Sequence, residues 1–317
     1  MRRQLGAALP VVVSLVAVAA VVWWALGQDA PALPRSGSSL AALVTALAVY
    51  ALGTAARGER WHRVLERSGI PAGRAETLRL TTVGYMGNNV LPARGGDLMR
   101  VFLLSPLARV SKRAALGTVV AERLLDAAAL GLLFVVVAAA LLPDADLPAA
   151  SRALVVALPV AALAAFSAAL LARRFATERF REFARPLAAS TRNLASAHGV
   201  GLLGLSLAIW ILEALVYLIV ARGLDLGLDL FGALYIVTVT NLFALVPAAP
   251  GYVGTFDAAV IFGARSLGVE GPDAVAYLLV LRFVLFVPIT LVGLFFLVTR
   301  YGGWGRYRSA RFRPTEV

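Results

Sequence analysis

In the stretch GYMGNNVLPARGGDLMR, residues 84–100, polar and helix-breaking residues interrupt an otherwise apolar chain. A weaker form of this pattern recurs as NLFALVPAAPGYVGTFD at residues 241–257. Lipid offers no hydrogen bonds, so such backbone at membrane depth must be buried in protein or line a wet cavity. Two broken segments at corresponding places in two halves of a chain indicate a transport site.

The composition is that of an integral membrane protein. The 317 residues are 60% apolar, and their mean hydropathy is +0.81. The absence of cysteine excludes disulfides and thiolate metal sites, and two histidines are too few for a His-rich metal centre. The net charge of +12 comes from arginine clusters between apolar runs, a pattern typical of membrane topology signals and anionic lipid surfaces. We expect no metal, no cofactor and no nucleic-acid partner.

Several apolar runs are long enough to cross a membrane, which takes about 20 residues. They are 5–27, 39–56, 115–142, 153–172, 200–221 and 275–299. Arginines cluster at the N-terminus, in the connections 57–79 and 173–199, and in the C-terminal tail. The positive-inside rule places all four clusters in the cytoplasm, so we expect a multi-pass plasma-membrane protein with both termini cytoplasmic.

Two further apolar stretches, 77–108 and 229–268, must each begin and end on one side of the membrane for this arginine pattern to hold. We therefore predict two re-entrant helical hairpins that enter from opposite faces. Pro92 should lie near the first tip, and Pro247 and Pro250 near the second. The alternative is eight ordinary helices with proline kinks, since proline is common in membrane helices.

These elements predict an all-α fold: a polytopic helical bundle of about six full spans and two re-entrant hairpins. The chain, 1–317, is expected to be a single domain. Its halves, approximately 1–142 and 153–299, repeat the same order of elements from opposite sides of the membrane, as in the inverted repeats of many transporters. Residues 300–317 form an arginine-rich cytoplasmic tail.

Three motifs stand in a fixed order along the chain. They are G-Y-x-x-N-N-x-L-P-x-R-x-G-D-x-x-R from Gly84 to Arg100, E-R-x-x-D from Glu122 to Asp126, and N-x-x-x-x-x-P-x-x-P-G-x-x-G from Asn241 to Gly254. This ordered set resembles the transmembrane domain of lysylphosphatidylglycerol synthases, a family also called flippase-like or YbhN/AglD-type membrane proteins. The resemblance covers about 40–299 and implies a membrane protein that moves, or helps to move, a lipid between leaflets.

The chain departs from that family in two places. It ends soon after the last apolar run, so we expect no soluble aminoacyl-transfer domain and no synthase activity. The acid that follows the second Pro-Gly motif is usually Glu in the family and is Asp257 here, which keeps the charge with a shorter reach.

Charged and amide side chains near the broken segments are the candidate headgroup site. A charge inside the membrane is costly and usually pairs or faces water, and arginine can grip a phosphate through its bidentate fork. Two acids spaced i, i+4 on one helix can bind a cationic group or hold arginines. The alternative is that these charges only pair with one another. The candidate lipid-headgroup residues are Asn88, Asn89, Arg94, Asp97, Arg100, Glu122, Arg123, Asp126 and Arg282.

Other residues of the broken segments are expected to shape the hairpins. These structural candidates are Gly84, Pro92, Gly95, Gly96, Asn241, Pro247, Pro250, Gly251, Gly254 and Asp257. Arg282 lies in an apolar span and needs a remote acid, for which Glu122, Asp126, Glu213 and Asp257 are candidates. We expect the partner to be Glu122 or Asp126.

The connection 57–79 is amphipathic near its start, where Trp61 and Leu65 share a face against Arg60 and Arg63. This pattern predicts a helix on the cytoplasmic surface that touches anionic lipid.

Our leading hypothesis is a translocase for a lipid with an anionic or zwitterionic phosphate headgroup, either a membrane phospholipid or a polyprenyl-phosphate lipid. The chain has no P-loop, so we expect no ATP hydrolysis. The alternatives are a lipid-phosphate enzyme, a small-solute transporter, and a non-transporting partner of lipid- or glycan-synthesis enzymes. The hydroxyls nearest the hairpins have no histidine to activate them, so we expect no catalytic residue and no enzyme.

Overall fold

The computed structural model describes residues 21–23, 25–29, 36–92, 94–141, 196–243, 249–303 and 305. This part of the chain is helical and contains no strand, as the sequence predicted. The helices are α1 Gly37–Arg67, α2 Arg74–Val90, α3 Gly95–Ala108, α4 Lys112–Leu141, α5 Ala197–Gly223, α6 Leu230–Phe243, α7 Thr255–Ser266 and α8 Gly271–Tyr301.

Three of these helices, α1, α5 and α8, are long and apolar enough to cross a membrane. They contain the predicted runs 39–56, 200–221 and 275–299, and α4 contains the run 115–142 except for its last residue. The chain is therefore a helical membrane protein. The run 5–27 lies mostly outside the described residues and 153–172 wholly so, and the total of six spans stays a prediction.

Each predicted hairpin consists of two helices separated by a break. The break around Pro92 separates α2 from α3, as expected. In the second segment, Pro250–Tyr252 forms a short 3-10 turn just before α7. Pro247 lies outside the described residues. The interruptions are thus confirmed, whereas their re-entry into the membrane stays a prediction.

The prediction of a surface helix at 57–79 is wrong. Helix α1 continues to Arg67, and Gly69 follows its end with a φ of 69°, which allows Ile70 to donate its N–H back to the Leu65 carbonyl. Trp61 is fully buried, because its face of α1 packs against protein rather than lipid.

The chain forms two compact units. Unit 1 comprises the described parts of Met1–Thr54, Thr82–Met99 and Ile211–Thr299, and unit 2 those of Ala55–Thr81, Arg100–Trp210 and Arg300–Val317. The core of unit 1 holds α5, α6 and α8 together through tyrosines. The Tyr277 hydroxyl donates to the Tyr217 carbonyl at 3.0 Å, and the Tyr217 and Thr240 hydroxyls lie 3.3 Å apart. In unit 2 the indole N–H of Trp61 donates to the Thr118 hydroxyl at 3.0 Å.

Candidate functional site

The first hairpin tip lies in unit 1, where α2 and α3 pack at backbone contact. A Cβ at Gly96 would lie 1.8 Å from the Gly84 carbonyl oxygen, and one at Gly87 would lie 2.6 Å from the Gly96 Cα. No side chain fits at those distances, so the glycines of this motif permit the close approach. A Cβ at Gly95 would press on the Leu91 side chain at 2.8 Å.

Asn88 and Asp97 organise the start of α3. The Asp97 N–H donates to Oδ1 of Asn88 at 3.2 Å, which satisfies one of the donors that a helix start leaves open. Asp97 lies in the first turn of α3, where the helix dipole favours a negative charge. Both residues therefore stabilise the tip, whatever else they contact.

Asn89 ties the same tip to α8. Its Nδ2 donates to the Thr290 hydroxyl at 2.8 Å and to the Phe286 carbonyl at 3.4 Å. The sequence suggested Asn89 as a turn or phosphate contact and did not indicate these partners, which lie about 200 residues away along the chain.

The second tip is organised by Arg282. Its Nε donates to Oδ1 of Asp257 at 2.5 Å, and its Nη1 donates to the Gly251 carbonyl at 3.2 Å. The other Asp257 oxygen accepts the Gly254 N–H at 2.8 Å, so this acid closes the start of α7. The Arg282 guanidinium also lies 5.0 Å from the ring centre of Phe286.

The expected pairing of Arg282 with Glu122 or Asp126 is therefore wrong. Asp257 lies in the first turn of α7 and pairs with Arg282, and both residues belong to unit 1. Glu122 and Asp126 belong to unit 2, where other arginines engage them. A remote acid could not be ranked from the sequence, because the choice depends on which helices pack together.

The two tips touch each other within unit 1. Gly251 has a φ of 67°, and a Cβ there would lie 3.3 Å from the Asn89 carbonyl oxygen. The Arg94 guanidinium lies 5.9 Å from the ring centre of Tyr252, which belongs to the opposite tip. Arg94 and Tyr252 both have left-handed backbone, with φ of 55° and 52°, a region that residues with a Cβ rarely adopt. Both tips therefore hold backbone strain where they meet.

Arg94 differs from Arg282 in its partners. Among the described residues no carboxylate forms an ion pair with Arg94, whose Nε is buried without a hydrogen-bond partner. Arg282 has its carboxylate, and only its Nη2 is buried without a partner. An arginine beside broken backbone that no described carboxylate neutralises is chemically able to bind a phosphate.

Unit 2 contains a separate ion network. Glu122 accepts hydrogen bonds from Arg100 at 2.9 Å and from Arg60 at 3.5 Å. Asp126 accepts from Arg60 at 2.6 Å and from Arg123 at 3.2 Å. Each carboxylate is thus shared between two arginines, and the network joins α1, α3 and α4.

Most of this network is inaccessible. Arg60, Glu122 and Arg100 are between 1% and 3% exposed, whereas the Arg123 side chain is 32% exposed. The Ser206 hydroxyl of α5 accepts a further hydrogen bond from Arg60 at 2.8 Å, and Arg100 lies 4.6 Å from the Trp61 ring centre.

Arg60 was not among the residues predicted for the site. It lies one turn before Val64 on the buried stripe of α1, so helical spacing from the apolar residues contained the signal.

The predicted headgroup residues therefore fall into two groups. Unit 1 holds Asn88, Asn89, Arg94, Asp97 and Arg282, and unit 2 holds Arg100, Glu122, Arg123 and Asp126. Of the structural candidates, Asn241 uses its Nδ2 to bond the Val237 carbonyl of its own helix at 2.9 Å. The described residues contain no cluster of three or more His, Cys, Asp or Glu that could hold a metal ion.

Comparisons with known proteins agree with the membrane assignment. A model of the family described as lysylphosphatidylglycerol synthase TM region matches residues 11–293. A UPF0104 membrane protein of Methanothermobacter thermautotrophicus is 26% identical over 320 positions, covering 90% of this chain and 93% of the relative. Glycosyltransferase AglD of Haloferax volcanii is 25% identical over 304 positions, covering 81% of this chain and 48% of the relative, so the chain spans about half of that protein. No solved structure matches.

Proposed function

The chain belongs to the lysylphosphatidylglycerol synthase transmembrane-region family, and we propose that it moves a lipid with a phosphate headgroup between membrane leaflets. The observation that carries this proposal is Arg94, which sits at the meeting point of two helix breaks with no carboxylate partner among the described residues. In transporters, sites for anionic groups lie where helices are interrupted. Arg94 is thus the residue to which we assign the headgroup phosphate.

Arg94 gains free energy when it exchanges its contact with the Tyr252 ring for a hydrogen bond to a phosphate. A cation over an aromatic ring gains about 0.5–2 kcal/mol, whereas a hydrogen bond to a charged partner contributes about 1.5–3 kcal/mol. A phosphate can also accept two parallel N–H groups of one guanidinium, which a ring face cannot do. The Tyr252 ring therefore holds Arg94 in place without competing strongly with a lipid.

We assign a structural role to the other predicted headgroup residues of unit 1. Arg282 already satisfies Asp257 and the Gly251 carbonyl, and removing it would leave that acid without its partner. Asn88 and Asp97 stabilise the start of α3, and Asn89 holds the first tip to α8.

The ion network of unit 2 contributes in two ways under this proposal. Arg100, Glu122 and Asp126 are nearly inaccessible and engaged with one another through arginine, so they hold helices together. Arg123 is the most exposed member of the network, which makes it the one able to meet a headgroup.

The substrate follows from this chemistry. An arginine at the tip suits any lipid phosphate, so we propose an anionic or zwitterionic membrane phospholipid or a polyprenyl-phosphate lipid. Re-entrant hairpins, inverted halves, a plasma-membrane location and cytoplasmic termini belong to the same proposal. Because one relative is named as a glycosyltransferase, we propose that the partners of this protein include glycan- or lipid-synthesis enzymes.

A leaflet-resolved transport assay tests the proposal. Purified protein is reconstituted into liposomes that carry one labelled lipid, and an impermeant reagent reports how much label reaches the other leaflet with time. We expect faster movement than in protein-free liposomes for at least one phosphate lipid. A labelled glycosyl-diacylglycerol, which has a polar headgroup without phosphate, should move no faster than it does in protein-free liposomes. Equal rates with and without protein for all phosphate lipids would overturn the proposal. Phosphate release from a lipid pyrophosphate in the same vesicles would favour an enzyme instead.

A further inference from the structure

One face of α8 holds both hairpin tips. Arg282, Phe286 and Thr290 are spaced by four residues, so they follow one another along this face. Thr290 and the Phe286 carbonyl bind Asn89 of the first tip, whereas Arg282 binds Asp257 and Gly251 of the second. The contact between the tips is therefore maintained from a single helix.

We call the contacts of Asn89 with α8 the first fastening and those of Arg282 with the second tip the second fastening. The two differ in chemistry. The first consists of an amide that donates to a hydroxyl at 2.8 Å and to a carbonyl at 3.4 Å, and all these groups are neutral. The second is an ion pair with an added bond to the Gly251 carbonyl, flanked by two phenylalanine rings. Charge-assisted hydrogen bonds are roughly twice as strong as neutral ones, so the first fastening is the weaker.

Pro288 lies between Arg282 and Thr290 on α8, whereas the Phe286 carbonyl of the first fastening lies before it, as Arg282 does. It has no N–H to donate to the Val284 carbonyl, and its ring crowds that carbonyl, so a helix bends most readily at such a residue. Arg282 lies before this point and Thr290 after it. A bend at Pro288 can therefore move Thr290 away from Asn89 while the contacts of Arg282 stay closed.

We propose that Thr290 is a positioning residue that holds the first tip against the second, and that the Asn89–Thr290 contact is the one that opens when a headgroup passes. Arg282 keeps the second tip in place throughout. The part that concerns headgroup passage rests on the proposed function, whereas the unequal strength of the fastenings can be measured without transport.

Hydrogen–deuterium exchange of the protein in lipid nanodiscs tests the fastenings. Thr290→Val keeps the shape and removes the hydroxyl, Thr290→Ser keeps the hydroxyl, and Thr299→Val is a matched control. The Thr290 hydroxyl donates to the Phe286 carbonyl at 2.6 Å, and the Thr299 hydroxyl makes the equivalent bond to the Phe295 carbonyl at 2.7 Å. Its side chain forms no described contact with a hairpin tip.

We expect Thr290→Val to speed exchange in peptides around Asn89 by roughly 2- to 13-fold, the factor that corresponds to one neutral hydrogen bond. Peptides around Asp257 should exchange at the wild-type rate. Thr290→Ser and Thr299→Val should match wild type at both tips. Faster exchange at both tips in Thr290→Val, or at neither, would overturn the inference.

Reversible cross-linking tests the passage step, since the chain has no native cysteine. Asn89→Cys with Thr290→Cys is joined by a short bifunctional thiol reagent that a reductant cleaves, and Asp257→Cys with Arg282→Cys is treated in the same way. Joining the first pair should stop lipid movement until the reductant is added, whereas joining the second should leave at least half of the uncross-linked rate. If joining the first pair leaves the rate unchanged, the opening step is wrong. If the wild type moves no lipid, the proposed function fails, and the exchange experiment still decides the fastenings.

Discussion

At the level of single residues, arginines that look alike in the sequence differ in the groups that they contact. Arg94 has an aromatic ring as its neighbour, Arg282 has a carboxylate, and Arg60 has two carboxylates and a hydroxyl. A buried guanidinium that pairs with acids holds structure, because removing it leaves those acids without their partner. A guanidinium without a described acid is available to an anion, and this difference is the basis for choosing Arg94.

Arg60→Met should destabilise the protein severely. The substitution removes one partner from each of Glu122 and Asp126 in a buried network, and breaking such a pair costs about 3–5 kcal/mol. Arg63→Met is the control, because Arg63 is exposed and its pair with Glu59 is worth about 0–1 kcal/mol. Thermal unfolding in detergent should show a large drop in midpoint for Arg60→Met and little change for Arg63→Met. Similar midpoints would mean that the network contributes no stability.

Gly96→Ala should prevent correct packing of the first hairpin. The added methyl group would lie 1.8 Å from the Gly84 carbonyl oxygen, and backbone atoms cannot yield as a flexible side chain does. Gly131→Ala on α4 is the control, because a Cβ there meets nothing within 4 Å. Size-exclusion chromatography of the two variants should show loss of the monodisperse peak for Gly96→Ala alone. A well-folded Gly96→Ala protein would contradict the packing of α2 on α3.

At the scale of elements, the sequence predicted the helices well and their contacts poorly. Apolar runs placed α1, α5 and α8, and the proline and glycine motifs placed both breaks, since those signals act within a few residues. The pairing of Arg282 with Asp257 and of Asn89 with Thr290 depends on which helices lie side by side, which no local pattern encodes.

The contact between the tips should be sensitive to volume at Gly251. Gly251→Leu places a Cβ 3.3 Å from the Asn89 carbonyl oxygen and adds strain at a φ of 67°. Gly268→Leu is the control, because Gly268 has a φ of 82° and open space around it. We expect lipid movement to fall at least severalfold more in Gly251→Leu than in Gly268→Leu when both insert equally. Equal rates would show that the close approach of the tips has no part in transport.

At the scale of the whole molecule, membership of a membrane family and three long apolar helices establish a polytopic membrane protein. The sequence adds two predictions that concern the complete chain: inverted halves and arginine-rich connections on the cytoplasmic side. Both depend on runs such as 153–172 that lie outside the described residues. They follow from charge distribution, because positively charged segments resist transfer across the membrane.

Single-cysteine labelling can test this topology in the cysteine-free chain. Cysteines near the N-terminus and in the tail 300–317 should react with an impermeant thiol reagent only after the membrane is opened. A cysteine at Pro92 should become reachable from the cytoplasmic face, and one at Pro250 from the opposite face. A tail that is labelled in intact cells would contradict the arrangement of both termini inside.

The translocation rates of Arg94 variants test directly whether Arg94 binds the headgroup phosphate. Arg109 is the matched control, because it is an exposed arginine with the same left-handed backbone, a φ of 53° against 55°. Rates are measured in liposomes with equal amounts of inserted protein, using a phosphate lipid that the wild type moves. Arg94→Ala should slow movement by roughly 10- to 150-fold, the value of one charged hydrogen-bond pair. Arg94→Lys should recover part of the rate, since lysine restores charge without the planar fork, and Arg109→Ala should match wild type. Wild-type movement in Arg94→Ala would show that the headgroup is held elsewhere and that the tip is only a scaffold.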